Sequence, residues 1–277
     1  MPVRTFRRAL VTGASTGIGE AAARDLASRG ANLVLVARSR DRLETLASEL
    51  RDAGQGEVEV LPADLTDRDD LEAVARRLRR GDAPVDLLIN NAGVGQVGAC
   101  VDLELEGADR QIRLNAMALL HLAHALLTRI REQGGGILNV SSIAASQPVP
   151  TMATYAATKA FLSSWSQALR EELRDDPVHV TLLAPGFTRT PFVDAAEAGS
   201  EARWIPGPLW DAPLEVARAG LDGVARDRAL VVPGMVYRAS VAASDVTPTA
   251  LTRRIVGTAT RLMGRGRGPT AGGDHGH

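Results

Sequence analysis

The sequence predicts a doubly wound α/β domain, three layers deep (α/β/α), around a parallel sheet. Over the first two-thirds of the 277 residues, short runs of β-branched residues and leucine alternate with longer helical patterns, as βαβ units do. A glycine-rich turn, TGASTGIG, follows the first of those runs and opens a helix. The length suits a single large core, which at this size can still grow without splitting.

Taken in order, the expected strands are ALVT (9–12), NLVLVA (32–37), VEVLPA (58–63), VDLLIN (85–90), GILNVS (136–141) and VHVTLLA (178–184). Helical stretches near 17–29, 40–53, 67–80, 103–132 and 152–175 lie between them. In the stretch 40–53, Leu43, Leu46, Ala47 and Leu50 recur at spacings of three and four, with arginines and acids opposite, so that face covers the sheet. Right-handed crossovers then place helices on both faces and bring ligands to the carboxyl ends of the strands at the topological switch point.

After Pro185 the pattern loosens into a loop region, about 187–212, where Gly and Pro mix with Phe192, Trp204 and Trp210, as expected of a pocket cover. A helix over 213–226 and a short strand, ALVVPG (229–234), follow. Residues 1–235 are thus the expected catalytic unit, 236–264 a helical extension and 265–277 a low-complexity, disordered tail. In the extension, Leu251, Ile255, Ala259 and Leu262 share one side of a stretch spanning 249–263; a partner subunit, a membrane surface and its own domain are open as its cover, with packing on its own domain preferred over a membrane role. His275 and His277 read as solvated tail, and no metal site is expected.

Composition narrows the function. Apolar residues make up 45% and charged residues 23%, with a net charge of −1, which is ordinary for a soluble globular chain and unlike a nucleic-acid binder. The lone Cys100 cannot form an internal disulfide, and the N-terminal apolar run is too short for a signal peptide or span, so a cytoplasmic setting is expected. Of the 32 basic residues Lys159 is the only lysine, and Tyr155, one of two tyrosines, precedes it by four positions. Lysine is a compact charge and arginine a planar fork, so a solitary lysine marks a position where arginine fails.

The turn after the first strand is the expected cofactor site. Gly13, Gly17 and Gly19 permit a tight turn and close backbone approach, and the helix N-terminus offers N–H groups to a pyrophosphate. At the end of the second strand, where NAD-users place an acid for the ribose diol, stands Arg38, able to pair with the 2′-phosphate of NADP(H). Asp64, just past the third strand, is read either as an acceptor for the adenine amino group or as a helix-cap or turn acid.

These residues resemble the short-chain dehydrogenase/reductase family over roughly 8–235. TGASTGIG resembles its TGxxxGIG turn, NNAG (90–93) its sheet-stabilising motif and YAATK (155–159) its YxxxK pair. Ser142, thirteen residues before Tyr155, matches the catalytic serine, Asn115 the helix asparagine and PGFTRT (185–190) the segment beside the nicotinamide. VARSRDRLETLASEL and ARAGLDGVARDRALVVPG are similar to a bacterial NADP-dependent branch whose members often lack assigned substrates.

The resemblance implies a Rossmann-type fold with Asn115, Ser142, Tyr155 and Lys159 as catalytic residues. It places NADP(H) on Gly13, Ser15, Thr16, Gly17, Ile18, Gly19, Arg38, Asp64, Leu65, Asn91, Ala92, Gly93, Tyr155, Lys159, Pro185, Gly186, Thr188 and Thr190. Residues four apart on a helix face the same way, so Lys159 is expected beside Tyr155, lowering the phenol pKa toward working pH. Ser142 holds the substrate oxygen, and Asn115 positions a relay water toward Lys159.

Expected pocket walls are Val94, Gln96, Ala144, Gln147, Met152, Phe187, Phe192, Trp204 and Trp210, implying a lipophilic carbonyl or alcohol substrate. Two alternatives stay open here: a 3-oxoacyl-thioester reductase, with Arg189 and Arg203 near the pocket mouth, and a non-catalytic NADP(H)-sensing protein. The resemblance also implies a homodimer or homotetramer built on the helices over 103–132 and 152–175.

Overall fold

A computed structural model describes residues 3–53, 56–192 and 206–239; the expected helix over 249–263, the tail, Arg203 and Trp204 lie outside them. The strands are β1 (Arg8–Thr12), β2 (Asn32–Ala37), β3 (Val58–Pro62), β4 (Leu87–Asn90), β5 (Gly135–Val140), β6 (Val178–Leu183) and β7 (Leu230–Val231). They form one sheet in the order β3-β2-β1-β4-β5-β6-β7, parallel throughout. The order reverses between β1 and β4, which makes their carboxyl ends the switch point.

Helices α1 (Gly17–Ser28), α2 (Arg40–Asp52), α3 (Arg68–Arg79), α4 (Leu105–Ile112), α5 (Leu119–Gln133), α6 (Ala153–Glu172) and α7 (Pro213–Ala225) cover the two faces. Side chains alternate across a strand, and the core divides accordingly. Val11, Leu33, Leu35 and Leu138 pack with Leu26 of α1, Leu43 and Leu46 of α2 and Leu221 of α7. Leu10, Val34, Val36 and Ile137 face the other way, onto Val74 and Leu78 of α3, Leu122 and Leu126 of α5 and Leu169 of α6. Strands buried on both faces need continuous apolar runs, which NLVLVA supplies.

Polar ties set the register in the middle of the sheet. Asn90 and Asn139 are paired neighbours on β4 and β5; Asn90 Nδ2 donates to Asn139 Oδ1 at 2.9 Å and to the Leu119 carbonyl at 3.1 Å, while Asn139 Nδ2 reaches Ser166 Oγ at 2.9 Å. Buried amides are costly unless bonded, so this chain fixes α5 and α6 against the sheet centre. Asp67 caps α3, its carboxylate accepting from the amides of Asp69 and Asp70.

Three local differences from the sequence expectation bear on the site. The stretch expected as one helix over 103–132 begins at Leu105 and widens into a π-helical turn, Arg113–Ala118, before α5. Strand β4 starts at Leu87 rather than 85, because Asp86 turns its carboxylate to the amides of Arg7 and Arg8 at 2.8–3.1 Å. Short 3-10 turns at Cys100–Asp102, Ile143–Ser146 and Gly207–Leu209 were not legible in the periodicity.

Candidate active site

The β1–α1 turn is shaped by what glycine lacks. Gly13 has φ +66°, and a Cβ there would lie 2.8 Å from Asn91 Nδ2; a Cβ on Gly19 would lie 2.2 Å from the Gly13 carbonyl. Thr16, at the N-cap of α1, makes no side-chain capping bond, so no cap side chain takes up the first helical amides, which have no partner within the helix. That arrangement fits a pyrophosphate.

The turn is held from β4. Asn91 Nδ2 donates to the carbonyls of Thr12 (2.9 Å) and Gly13 (3.3 Å), and Thr12 Oγ1 accepts from the amides of Asn91 and Ala92, both at 3.0 Å. Asn91 is therefore a buttress of the cradle through its side chain. Thr12, which sequence reasoning passed over, clamps both strand ends; its partners lie 79 and 80 positions away, beyond any local signal.

Arg38, at the end of β2, is exposed and borders a cleft of about 270 Å³ shared with Pro62, Ala63, Asp64 and Asp70. Asp64 Oδ1 accepts from the Thr66 amide (3.0 Å) and hydroxyl (2.7 Å), while Asp67 caps α3. Burial opposes the Asp64 charge, but the Thr66 bonds and the neighbouring Arg110 and Arg38 outweigh it and hold the carboxyl below its ordinary range. Arg110 on α4 reaches Asp64 Oδ2 at 3.1 Å. The Leu65 side chain is buried in the core, leaving only its backbone to face a ligand.

Tyr155 and Lys159 share one face of α6 and are buried, at 8% and 4% exposure. Ser142 follows β5, its Oγ accepting from the Ala144 amide at 3.1 Å and lying near enough to the Tyr155 phenol to favour its ionised form. Lys159 Nζ donates to the Val140 carbonyl at 2.8 Å and lies 5.8 Å from the Tyr155 ring centroid. A Cβ on Gly93 would be 3.5 Å from that ammonium, so a small residue there leaves it room.

The electrostatics differ from the expectation of a phenol lowered by its lysine. Burial pushes Tyr155 up to about 12, with the neighbouring Ser142 pulling the other way. Burial likewise brings Lys159 down to about 8. Desolvation disfavours both charged forms, and the ammonium is directed at a backbone carbonyl rather than at the phenol oxygen.

Asn115 sits in the π turn, buried. Its Oδ1 accepts from the Val94 amide (2.9 Å), and its Nδ2 donates to the Val94 carbonyl (2.8 Å) and Thr158 Oγ1 (3.2 Å). Both polar ends of the Asn115 side chain are thus bonded to protein partners. Thr158 Oγ1 in turn donates to the Tyr155 carbonyl at 2.8 Å, so Asn115 supports the tyrosine's own helical turn.

On the far side of the pocket, Ile143 N donates to the Pro185 carbonyl (3.1 Å), Thr188 Oγ1 donates to the Gly186 carbonyl (3.2 Å), and Thr190 lies against the glycine turn, 3.0 Å from where a Gly17 Cβ would stand. Phe192 stacks obliquely on Tyr155, with centroids 5.6 Å apart, and Phe187 on Trp210 at 5.8 Å. Ala144, Gln147 and Met152 are half-buried around Ser142 and the start of α6. Gln96 is directed elsewhere: it accepts from Gln111 at 3.1 Å and its amide fills the gap over Gly107.

A family model for the short chain dehydrogenases matches residues 7–201. The chain belongs to the short-chain dehydrogenase family. This dehydrogenase is 33% identical over 196 residues to an uncharacterized oxidoreductase of Staphylococcus epidermidis, covering 70% of this chain and 84% of that one. Among solved structures it resembles a short-chain dehydrogenase from Sphingobium yanoikuyae in complex with NADPH, with TM-score 0.78, 37% identity and coverage of 97% and 99% of the two chains. It also resembles a bulky-bulky ketone specific alcohol dehydrogenase from Comamonas testosteroni, with TM-score 0.73, 33% identity and coverage of 97% and 98%. Among the described residues of this dehydrogenase, no helix is long and apolar enough to cross a membrane, and no group of three or more His, Cys, Asp and Glu is arranged to hold a metal ion.

Proposed function

We propose that this dehydrogenase uses NADP(H) to interconvert a bulky, lipophilic ketone and its secondary alcohol, with Tyr155 as the general acid/base. The observation that carries the reading is the buried Tyr155 phenol, near Ser142, set beside Lys159 and packed against Phe192. When bound, NADPH supplies the hydride that adds to the carbonyl carbon.

Tyr155 gives its proton to the carbonyl oxygen as that oxygen takes up charge, and Ser142 donates a hydrogen bond to the same oxygen. Lys159, an ammonium with a pKa near 8, returns a proton toward the phenolate and favours it electrostatically. Asn115 positions: through Thr158 and Val94 it holds the tyrosine's helical turn and the strap that passes Lys159. The aromatic surfaces of Phe187, Phe192 and Trp210 suit a large apolar substituent, in line with the Comamonas relative's described preference.

Selectivity for NADP(H) rests on Arg38, the guanidinium beside the cleft at the end of β2, and on the NADPH bound in the Sphingobium relative. The test is fluorescence titration with NADPH and NADH. Arg38→Ala is expected to weaken NADPH about tenfold to a hundredfold, the worth of a charge-assisted hydrogen bond, and to leave NADH unaffected. Tyr155→Phe is expected to keep NADPH binding and lose turnover of an aryl ketone. Equal binding of both nucleotides by wild type and Arg38→Ala sinks the NADP assignment, and turnover by Tyr155→Phe sinks the acid/base assignment.

A further inference from the structure

We propose that Tyr237 is a positioning residue that latches the loop bearing Phe187 to the segment bearing Trp210, and so sets the shape of the large-substituent side of the pocket. The proposal rests on the reading that residues 185–190 and these two aromatics border the reacting groups.

The tyrosine lies six residues past β7 and is 6% exposed. Its ring lies against Gly186 so closely that a Cβ there would be 2.1 Å from Cε2 and 2.3 Å from Cζ. Ring and backbone can meet this way only because residue 186 has no side chain. The same ring packs with Ala184 and Val232, against Ile143 and Leu209. Ile143 directly follows Ser142, so the latch touches the turn that carries the serine.

Its hydroxyl works in both directions. It accepts from the Phe187 amide at 3.3 Å and donates to the Leu209 carbonyl. Those two partners lie 22 positions apart in the chain. The Phe187 carbonyl is fixed separately by the Asp211 amide at 2.9 Å, so both backbone polar groups of Phe187 are fastened, one of them by this phenol alone. The Phe187 side chain, 43% exposed, leans on Trp210 at 5.8 Å and on the Tyr237 ring at 6.4 Å. A phenol that holds one of these packed aromatics by its backbone and the other through the neighbouring Leu209 carbonyl fixes the apolar face the two present together.

The decisive variant is Tyr237→Phe in the full chain, which keeps the ring packing and removes only the hydroxyl. Hydrogen exchange at the Phe187 amide is expected to accelerate, with the melting temperature nearly retained. KM for a diaryl ketone is expected to rise about threefold to tenfold, the range one net hydrogen bond sets, with kcat falling less than KM rises and a small aliphatic ketone less affected.

Unchanged Phe187 exchange in Tyr237→Phe overturns the latch. So does an equal loss on both ketones accompanied by a fall in melting temperature, the mark of a merely structural residue. If the wild-type enzyme reduces neither ketone with NADPH, the ketone reading fails on its own, and the exchange result still decides whether Tyr237 holds the loop.

Discussion

At the scale of single residues, the site is dominated by two titratable groups taken out of water. The sequence shows both, because one lysine and one of two tyrosines stand a helical turn apart. It does not show what Lys159 does with its proton: the Val140 carbonyl it bonds comes from β5, 19 positions away. The consequence is a linkage between folding and pH. Lys159 is held near 8 when folded, below its ordinary 10.5, so between those values the unfolded chain binds more protons and stability rises with pH. Tyr155 is raised to about 12 from 10; above pH 10 the folded chain binds more protons and stability falls. Denaturant unfolding of wild type and Lys159→Met from pH 7 to 10 is expected to show wild type gaining on the variant above pH 8. Parallel curves would mean that the ammonium is not desolvated.

At the scale of elements, most helices and strands fall within a residue or two of their expected bounds, because apolar spacing fixes which face is buried. The exception is the π turn at Arg113–Ala118. Periodicity is blind to it, since what widens the helix is a partner: Asn115 points inward to bond both polar groups of Val94. Such turns recur at functional sites. Thr151, with φ +69° just before α6, is a second irregularity at the site, a β-branched residue where glycine is at ease. Asn115→Ala strands the Val94 amide and carbonyl, so a loss of about 1–3 kcal/mol is expected, with turnover falling alongside because the Tyr155 turn loses a support. Calorimetry checks the first part; an unchanged melting temperature would show that solvent replaces the amide without cost.

At the scale of the whole molecule, the strand order and the switch point follow from connection rules that the sequence already implies. The carboxyl ends of β1 and β4 therefore needed little further information, whereas the pocket cover needed coordinates because Tyr237, Gly186 and Leu209 meet only in three dimensions. The outer surface carries an uncovered apolar set: Met117 (61% exposed) just before α5, Leu120 on it, and Phe161 (44%) on α6. Apolar residues on neighbouring helices suit a partner surface, and a second copy of the chain is the expected occupant. Sedimentation should give a dimer or tetramer at micromolar concentration, shifted toward monomer by Phe161→Asp; a wild-type monomer would refute this.

The solitary lysine also makes the protein its own reporter. A chain grown on isotope-labelled lysine carries one labelled side chain, so its magnetic resonance spectrum is expected to hold a single ammonium signal, located in the candidate active site and titrating near pH 8. Because that amine is 4% exposed, acylating reagents reach it only when the fold opens around it, and the rate of its modification counts those openings one molecule at a time.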